Sequence, residues 1–396
     1  MRPFEGVRIL DFTQVLAGPY ASYQLALLGA DVIKVERREG EDMRRTPLSR
    51  EWAERGMAPG WMAVNGNKRS LTLDLQKPQA VKIAKKLIPT ADIVMENFRP
   101  GVMDRLGLGY AVLSALNPRL IYCSISGFGQ TGPDRNEAGY DGKIQAMSGI
   151  MAITGHPEMG PTRAGFAVCD ILSGMTGAFA IASALFQRGQ TGCGQRVDVS
   201  MLEATLAFLS GQVADFTVAG HHQEQSGNQA VSRRPTANLF KTGDGFILLA
   251  VNSEAQYRCL MDAIGRKDTF DDPRFADWFL RNTHEPDLRA IIEDALATSD
   301  AKSWETKLNA AGAPCASIWH VEDIIDHPQI AARDVLQTVE TPYGPIRFMG
   351  SGFQMAHGGG KLDHAAPALG ANTADVLAEI GYAAAEIAAL REAGVI

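Results

Sequence analysis

The stretch at residues 6–36, GVRILDFTQVLAGPYASYQLALLGADVIKVE, decides the fold class of this chain. A short, mostly apolar run at 7–12 leads into a helical stretch at about 18–28, and a second apolar run follows at 31–35. Two strands joined by a helix are typical of a βαβ unit, in which the strands lie parallel. The chain is therefore predicted to begin as a Rossmann-like α/β domain.

The same alternation continues along the chain. Further strands are predicted at 70–75, 92–95, 119–126 and 195–200, and helices at 80–88, 170–187 and 202–218. The helix at 170–187 is apolar but rich in small residues, which let a helix approach its neighbours closely, so we expect it to be central. The pattern predicts a parallel sheet that helices cover on both faces.

A polar segment at 219–236 interrupts this pattern and is typical of a linker. A second unit follows it, with strands predicted at 245–251 and 314–319 and helices at 255–264, 285–297 and 301–311. Residues 331–396 have mixed character and end in a helix that begins at about Thr373.

Composition and charge argue against several classes of function. The 396 residues carry a net charge of −7 and no basic run, so we expect neither a nucleic-acid partner nor a membrane partner. The five cysteines are dispersed without a C-x-x-C pair and the eight histidines are scattered, which argues against a disulfide framework and a metal site. The N-terminus carries charges where a signal peptide needs an apolar stretch, so a cytoplasmic location is expected.

The first turn of the βαβ unit argues against two common cofactor classes. A dinucleotide site needs G-x-G-x-x-G in this turn so that the backbone can approach a pyrophosphate, with an acidic residue such as Glu36 for the ribose. The turn at 13–20 has a single glycine, Gly18, and Pro19 removes an amide donor. A phosphate-binding G-x-x-x-x-G-K-[ST] sequence is also absent. Nicotinamide and nucleoside-triphosphate chemistry are therefore not expected.

Eight local patterns occur in a fixed order along the chain. They are GVRILDF at 6–12 with LAGP at 16–19 and LGADVIKVE at 28–36, NKRS at 67–70, ENFRPG at 96–101 with RLG at 105–107, SGFGQTGP at 126–133, the pair Tyr140 and Asp141, the segment at 165–174 that holds Asp170, GQRVDVSM at 194–201, and HPQ at 327–329 leading to Arg333. Together they resemble the family III CoA-transferases, also named CaiB/BaiF, which include formyl-CoA transferase. The resemblance covers essentially the whole chain.

The resemblance implies a particular architecture. A large Rossmann-like CoA-binding domain is built from both chain ends, with residues 1–218 as its first part and 331–396 as the return to it. Residues 219–330 form the linker and a smaller inserted α/β domain. Two chains form a homodimer in which they interlock like linked rings. Coenzyme A is then a substrate, and no permanently bound cofactor or metal is expected.

Asp170 falls on the nucleophile of the family. By position alone it is typical of an N-cap, because aspartate is among the best residues for binding the free amides at a helix start. The resemblance implies that CoA passes from an acyl-CoA to a small carboxylic acid through an aspartyl-acyl anhydride and an aspartyl-CoA thioester on this residue. The two roles are compatible, since a helix N-terminus stabilises negative charge.

Ten further positions match family residues that contact the substrates. Gln14 and Tyr140 would bind the acyl or carboxylate group. The other eight would bind coenzyme A: Leu16, Ala17, Arg37, Leu73, Asn97, Phe98, Arg99 and Arg105. By position alone, the arginines are typical of a solvated surface and Leu73, Phe98 and Tyr140 of an ordinary core.

Tyr140 separates transfer from isomerisation. The related α-methylacyl-CoA racemases have a His-Asp pair where this chain has Tyr140 and Asp141, and a tyrosine with a pKa of about 10 is a poor acid or base near neutral pH. A racemase-like isomerase that uses Asp141 and Asp170 is the alternative, and a non-catalytic CoA-binding protein is a third hypothesis. VNSEAQ at 251–256 stands in place of the glycine run of formyl-CoA transferase, and Leu16 in place of its glutamine. Both departures weaken the inference that oxalate or formate is the substrate.

Overall fold

The structure, a computed structural model, describes residues 1–396 and divides into two compact units. Unit 1 comprises Met1–Ile150, Arg163–His222 and Pro328–Ile396. Unit 2 comprises Met151–Thr162 and Gln223–His327.

Eleven strands form three sheets. The strands are β1 Arg8–Asp11, β2 Asp31–Glu36, β3 Lys68–Thr72, β4 Ile93–Glu96, β5 Ile121–Ser126, β6 Arg196–Ser200, β7 Leu239–Lys241, β8 Phe246–Leu249, β9 Cys315–Ser317, β10 Leu336–Thr341 and β11 Gly344–Met349. In unit 1, six strands pair in parallel in the order β3-β2-β1-β4-β5-β6, and β10 pairs with β11 as an antiparallel hairpin. This six-stranded order is that of a doubly wound Rossmann sheet, as the sequence predicts.

Nineteen α-helices and five short 3-10 helices connect these strands. The α-helices are α1 Ala17–Leu27, α2 Arg50–Glu54, α3 Pro59–Met62, α4 Pro78–Leu87, α5 Val102–Arg105, α6 Tyr110–Leu116, α7 Asp141–Met147, α8 Ile150–Ile153, α9 Val168–Thr191, α10 Met201–Phe208, α11 Ser210–Ala219, α12 Glu254–Ala263, α13 Trp278–Thr283, α14 Glu285–Leu296, α15 Ala301–Ala310, α16 Val321–Ile324, α17 Pro328–Ala332, α18 Thr373–Glu379 and α19 Ala384–Glu392. The 3-10 helices are Asp42–Arg45, Ile88–Thr90, Pro157–Met159, Lys267–Phe270 and Pro273–Phe275.

The parallel sheet has an apolar core on each face. Successive residues of a strand point to opposite faces, so Ile9 packs with α1 and α9 while its neighbour Leu10 packs with α4 and the C-terminal helices. Both residues are fully buried. Burial on both faces explains why the central strands β1, β4 and β5 are mostly apolar. The edge strand β6 alternates instead, with Arg196 and Asp198 exposed.

Helix α9 is the central helix of one face, as its small residues predict. A Cβ atom added at Gly174 would lie 2.7 Å from the backbone oxygen of Ala17, and one added at Gly177 would lie 3.0 Å from the side chain of Ile125. The 24-residue helix is long and apolar enough to cross a membrane by length and composition, and core helices that pack in this way pass the same test.

Three features of unit 1 differ from the sequence predictions. The single terminal helix predicted from about Thr373 is wrong, because the structure has two helices there, α18 and α19. The single helix predicted at 202–218 is wrong, because Leu209 leaves helical geometry (φ −88°, ψ 20°) and separates α10 from α11. The poor helix formers Ser210 and Gly211 follow this break. The hairpin of β10 and β11 was not predicted, because each strand has a single buried residue, Val339 or Phe348, and carries a weak apolar signal.

Unit 2 contains a three-stranded antiparallel sheet in the order β7-β8-β9. Its own apolar core includes Tyr257, Ile292 and Leu308. The sequence at 251–256 begins α12 through a capping box, in which the Ser253 hydroxyl accepts from the Gln256 N–H while the Gln256 side chain accepts from the Ser253 N–H. This segment is therefore tied down by the helix that it begins.

Candidate functional site

A cavity of about 200 Å³ opens in unit 1 beyond the carboxyl ends of β1, β4 and β5. The neighbouring strands β1 and β4 flank the point where the strand order reverses, which is where doubly wound sheets bind their ligands. The lining comes from the segments that follow these strands and from the starts of α7, α9 and α10: Gln14, Val15, Leu16, Ala17, Asn97, Phe98, Arg99, Pro100, Ile125, Ser126, Gly127, Glu137, Ala138, Gly139, Tyr140, Asp141, Asp170 and Met201.

Asp170 is the third residue of α9 and lines this cavity. The N-cap hypothesis for it is wrong: Ala167 occupies the N-cap position, without a side-chain cap. A side chain from another helix binds a free N–H group at the start of α9 instead: Asp141 Oδ1 accepts the Cys169 N–H at 2.9 Å. The Asp170 carboxylate is thereby left without a hydrogen bond from the protein, next to the positive end of a long helix.

The environment of Asp170 raises its pKa to about 7. Burial is the larger cause, since it disfavours the charged carboxylate, and the nearby negative charge of Asp141 adds to it. No cation offsets these effects. A carboxylate with this pKa is half ionised near neutral pH, and it is a better base and nucleophile than an ordinary aspartate when ionised.

The loop between β1 and α1 is clamped to the loop after β4. The Gln14 N–H donates to Asn97 Oδ1 at 2.8 Å, and Asn97 Nδ2 donates back to the Gln14 carbonyl at 2.7 Å. Gly18 is needed beside this loop, because a Cβ atom there would lie 2.4 Å from the side chain of Thr13. The reciprocal pair fixes two walls of the cavity relative to each other.

Glu96 shapes the wall that carries Asn97, Phe98 and Arg99. It is the last residue of β4 and is buried, and its Oε2 accepts the Phe98 N–H at 2.9 Å. Burial raises the pKa of Glu96 to about 7. The tight turn that this bond closes directs the next residues toward the cavity.

Tyr140 precedes α7 at its N-cap position and lines the cavity with 70% of its surface exposed. The segment before it approaches the end of β5 closely, because a Cβ atom on Gly127 would lie 2.5 Å from the Cα of Gly139. Asp141 is held by Gln145, whose Nε2 donates to its Oδ2 at 2.6 Å. Because Tyr140 is so exposed, its interpretation as a packed core residue is wrong.

Eight of the eleven predicted site residues line this one cavity: Gln14, Leu16, Ala17, Asn97, Phe98, Arg99, Tyr140 and Asp170. Three lie outside its lining. Arg37 donates to the Gly40 carbonyl and pairs with Asp42, Leu73 is buried in the core on one face of the sheet, and Arg105 ends α5. Their predicted contacts with coenzyme A stay predictions.

Three acidic residues near the site were not assigned these roles from the sequence. They are Glu41, Glu96 and Asp141, all of which accept hydrogen bonds from backbone N–H groups of segments that line the cavity. Glu96 carries a signal in the sequence, since it ends a buried strand at the carboxyl edge of the sheet. Glu41 carries none, because its contacts come from residues distant in sequence. The structure brings no group of three His, Cys, Asp or Glu side chains into a metal-binding arrangement.

Comparisons with known proteins identify the family to which the chain belongs. The profile of CoA-transferase family III matches residues 4–373. The chain is similar to the succinate–glutarate CoA-transferase of Agrobacterium fabrum, with 37% identity over 96% of each protein, and to the succinyl-CoA–D-citramalate CoA-transferase of Chloroflexus aurantiacus, with 34% identity over 96% of this chain and 94% of that protein. A crystal structure of a CaiB/BaiF family protein from Brucella suis superposes with a TM-score of 0.87 and 33% identity, covering 96% of this chain and 99% of that one. The chain belongs to the family III CoA-transferases.

Proposed function

We propose that this CoA-transferase moves coenzyme A from a dicarboxylic acyl-CoA, with succinyl-CoA as the first candidate, to a second small carboxylic acid, with Asp170 as the nucleophile. The observation that carries the proposal is the Asp170 carboxylate, which lines the cavity without a hydrogen bond from the protein and has a raised pKa. The names of the relatives from A. fabrum and C. aurantiacus, which pair succinate or succinyl-CoA with another dicarboxylic acid, support this substrate class.

In the first half of the proposed reaction, an oxygen of Asp170 attacks the thioester carbonyl of the acyl-CoA. The carbon–sulfur bond breaks, which leaves an aspartyl-acyl anhydride and the CoA thiolate. The thiolate then attacks the aspartyl carbonyl, which releases the donor acid as a carboxylate and leaves an aspartyl-CoA thioester. Two easier covalent steps thus replace one difficult exchange, and the thioester energy is conserved.

In the second half, the acceptor carboxylate attacks the aspartyl-CoA thioester. The CoA thiolate leaves again, and a new aspartyl-acyl anhydride forms. The thiolate attacks the acyl carbonyl of this anhydride, which gives the new acyl-CoA and restores the Asp170 carboxylate. Water must be kept away from both intermediates, because either would hydrolyse.

The lining residues divide between the two ends of the substrate. Gln14 and Tyr140 are proposed to bind the acyl or carboxylate group close to Asp170. Leu16, Ala17, Asn97, Phe98 and Arg99 would line the path of the pantetheine chain. Arg37, Leu73 and Arg105 are proposed to contact coenzyme A farther from the cavity.

We propose that the protein is an interlocked homodimer. Large apolar side chains stand exposed on α9 and α11, among them Phe179 (75% exposed), Phe186 (73%) and Phe216 (53%). A second copy of the chain would cover them. Light scattering coupled to size exclusion should give twice the chain mass, and differently tagged dimers that are truly interlocked should exchange subunits only after unfolding.

The location and the domain boundaries are also proposals. We propose a cytoplasmic location, which suits an enzyme of acyl-CoA metabolism. The large domain is proposed to comprise 1–218 and 331–396, with the small domain inserted at 219–330. Limited proteolysis should cut first within 219–236 if this segment is a linker.

The decisive experiment follows CoA esters by mass spectrometry. The enzyme is incubated with succinyl-CoA and a panel of glutarate, citramalate, mesaconate, malate, acetate and oxalate, alongside Asp170→Ala. A new CoA ester that depends on Asp170, together with a hydroxylamine-sensitive adduct on the enzyme, supports the transferase. Absence of a new CoA ester with all of these acceptor acids contradicts it.

The isomerase alternative draws on one observation, the neighbouring carboxylates of Asp141 and Asp170. A carboxylate with a pKa of about 7 suits proton abstraction next to a thioester carbonyl. Deuterium from solvent would then enter the α-carbon of a branched acyl-CoA without an acceptor acid. Exchange of this kind without CoA transfer would replace the proposal.

A further inference from the structure

One residue of the cavity wall has an unfavourable backbone conformation. Val15 lies between Gln14 and Leu16 in the loop from β1 to α1, with a φ of 69° and 44% of its surface exposed. A β-branched residue is a genuine outlier at positive φ, and such strain persists only where surrounding contacts hold it. The contacts that hold Val15 therefore bear on the shape of the cavity.

Glu41 makes the contact that holds Val15. Its Oε2 accepts the Val15 N–H at 2.8 Å. Its Oε1 accepts from Lys34 Nζ at 2.9 Å and from Trp61 Nε1 at 2.8 Å. Glu41 is 5% exposed, so both carboxylate oxygens are fixed inside the protein.

The neighbouring loop residues are held by other side chains. Lys34 Nζ donates to the Thr13 carbonyl at 2.9 Å, and Gln14 is clamped by Asn97 as described above. Thus Thr13, Gln14 and Val15 each form a hydrogen bond with a side chain from a different segment of the chain. Of these three, Val15 alone has a left-handed backbone, and its only such support comes from Glu41.

We infer that Glu41 is a positioning residue for the transfer reaction: it holds Val15 in the left-handed conformation and thereby fixes the Gln14–Leu16 backbone against which the acyl group reacts. The inference rests on the proposed function in one respect: its kinetic tests require that the enzyme transfers CoA. A purely structural Glu41 would stabilise the fold through Lys34 and Trp61 without affecting turnover.

The first test replaces Glu41 by glutamine, which keeps the shape of the side chain. Val15 and Lys34 bind different oxygens of Glu41, and glutamine has an NH2 donor in place of one of them, so one of the two bonds is lost. We expect kcat to fall by about 10- to 100-fold because the loop shifts, with KM for the acyl-CoA changed less than about threefold. Adding Val15→Gly to Glu41→Gln should restore at least about fivefold of kcat, because glycine adopts positive φ without strain.

Glu41→Gln also removes the buried ionic partner of Lys34 and could therefore unfold the protein. A second pair of variants tests the inference without disturbing Lys34. Val15→Pro leaves the buried ions intact but removes the N–H and fixes φ near −65°, whereas Val15→Ala keeps the N–H. We expect kcat of Val15→Pro to lie at least about tenfold below that of Val15→Ala at equal melting temperature. Asp334→Gly is the matched control, since Asp334 is an exposed positive-φ residue (φ 48°) outside the cavity, and it should leave kcat unchanged.

Amide hydrogen exchange gives a readout that does not depend on activity. The peptide that contains Val15 should lose protection in Glu41→Gln and keep it in Asp334→Gly. If the wild-type enzyme transfers no CoA, the proposed function fails while this measurement still tests the contact. Wild-type kcat in folded Glu41→Gln, or a loss of kcat with unchanged exchange at Val15 and no rescue by glycine, would overturn the inference.

Discussion

Asp11 and Asp170 are both aspartates near the carboxyl edge of the parallel sheet, and their surroundings have opposite effects. Asp11 is fully buried, and burial alone would raise its pKa; Lys68, Lys34 and two hydroxyl groups outweigh burial and lower the pKa. Asp170 has no cation and no hydrogen bond, so burial and Asp141 raise its pKa to about 7. The difference lies in the partners, since burial raises the pKa of both groups, fully for Asp11 and partly for Asp170.

The region around Asp11 is a network of buried ion pairs and hydrogen bonds. Lys68 Nζ lies 3.1 Å from Asp11 Oδ2, and Ser22 Oγ donates to the same oxygen at 2.6 Å. Beside this pair, Arg44 and Glu36 form a two-pronged buried ion pair at 2.7 Å. A fully paired network of this kind specifies one arrangement of the loops above it.

The region around Asp170 is left incomplete by comparison. A carboxylate that the protein does not satisfy is available to react with a bound ligand. We therefore expect substitutions in the two regions to have different effects. Substitutions near Asp11 should mainly change stability, and substitutions at Asp170 should mainly change activity.

Asp170→Asn should reduce CoA transfer by at least about 10³-fold, because an amide cannot form the covalent intermediate. The fold should become more stable at pH 8, by about 1–2 kcal/mol for a partly exposed group. The sign follows from the raised pKa: the wild-type contribution of Asp170 falls as pH rises from about 4 to about 7. Asp375→Asn is the matched control, because Asp375 is the exposed third residue of α18. Retained transfer in Asp170→Asn would remove it as nucleophile.

Asp11→Asn should lower the free energy of unfolding by about 3–5 kcal/mol, because it leaves Lys68 buried without its counterion. Its lowered pKa gives the opposite sign to Asp170: the stability from Asp11 is present above pH 4 and is lost as pH falls through the folded-state pKa. Urea unfolding at pH 7.5 measures the loss. Adding Lys68→Met should recover part of it, and a double variant no better than the single one would contradict the pairing.

Gly174→Ala should destabilise the protein by about 1–3 kcal/mol, because its Cβ would meet the Ala17 backbone and push α9 away from α1. Asp170 lies one turn earlier on the same face of the helix, so kcat should fall as well. Gly189→Ala on the same helix is the control, since no atom lies within 4 Å of the added Cβ, and it should stabilise by up to about 1 kcal/mol. Equal melting temperatures for the two variants would be the contrary result.

Asp141→Asn should lower the pKa of Asp170, because it removes a like charge while its amide oxygen still accepts the Cys169 N–H. In the wild type, kcat/KM should rise about tenfold per pH unit and level off near pH 7. The midpoint should move down by about one unit in the variant. A pH–rate profile for each enzyme checks this, and an unmoved midpoint would assign the raised pKa to burial alone.

The residue pattern was enough to predict the strands of the parallel sheet. All six parallel strands of unit 1 were predicted within a few residues. The central strands β1, β4 and β5 were recognisable because strands buried on both faces are mostly apolar. The small residues of α9 likewise predicted a central helix, since Gly174 and Gly177 permit its close approach. The order of the motifs, read as a resemblance, also indicated the family that the comparisons show.

Which side chains share an environment depends on contacts between residues that are distant in sequence. Position alone assigned Asp170 to the N-cap of α9. In the fold, Asp141 from another helix accepts the hydrogen bond of a backbone N–H group at the start of α9. The bond from Val15 to Glu41 is equally invisible in the sequence. Both outcomes have one physical reason: periodicity and propensity report on neighbours along the chain, whereas desolvation and charge depend on what long-range packing brings together.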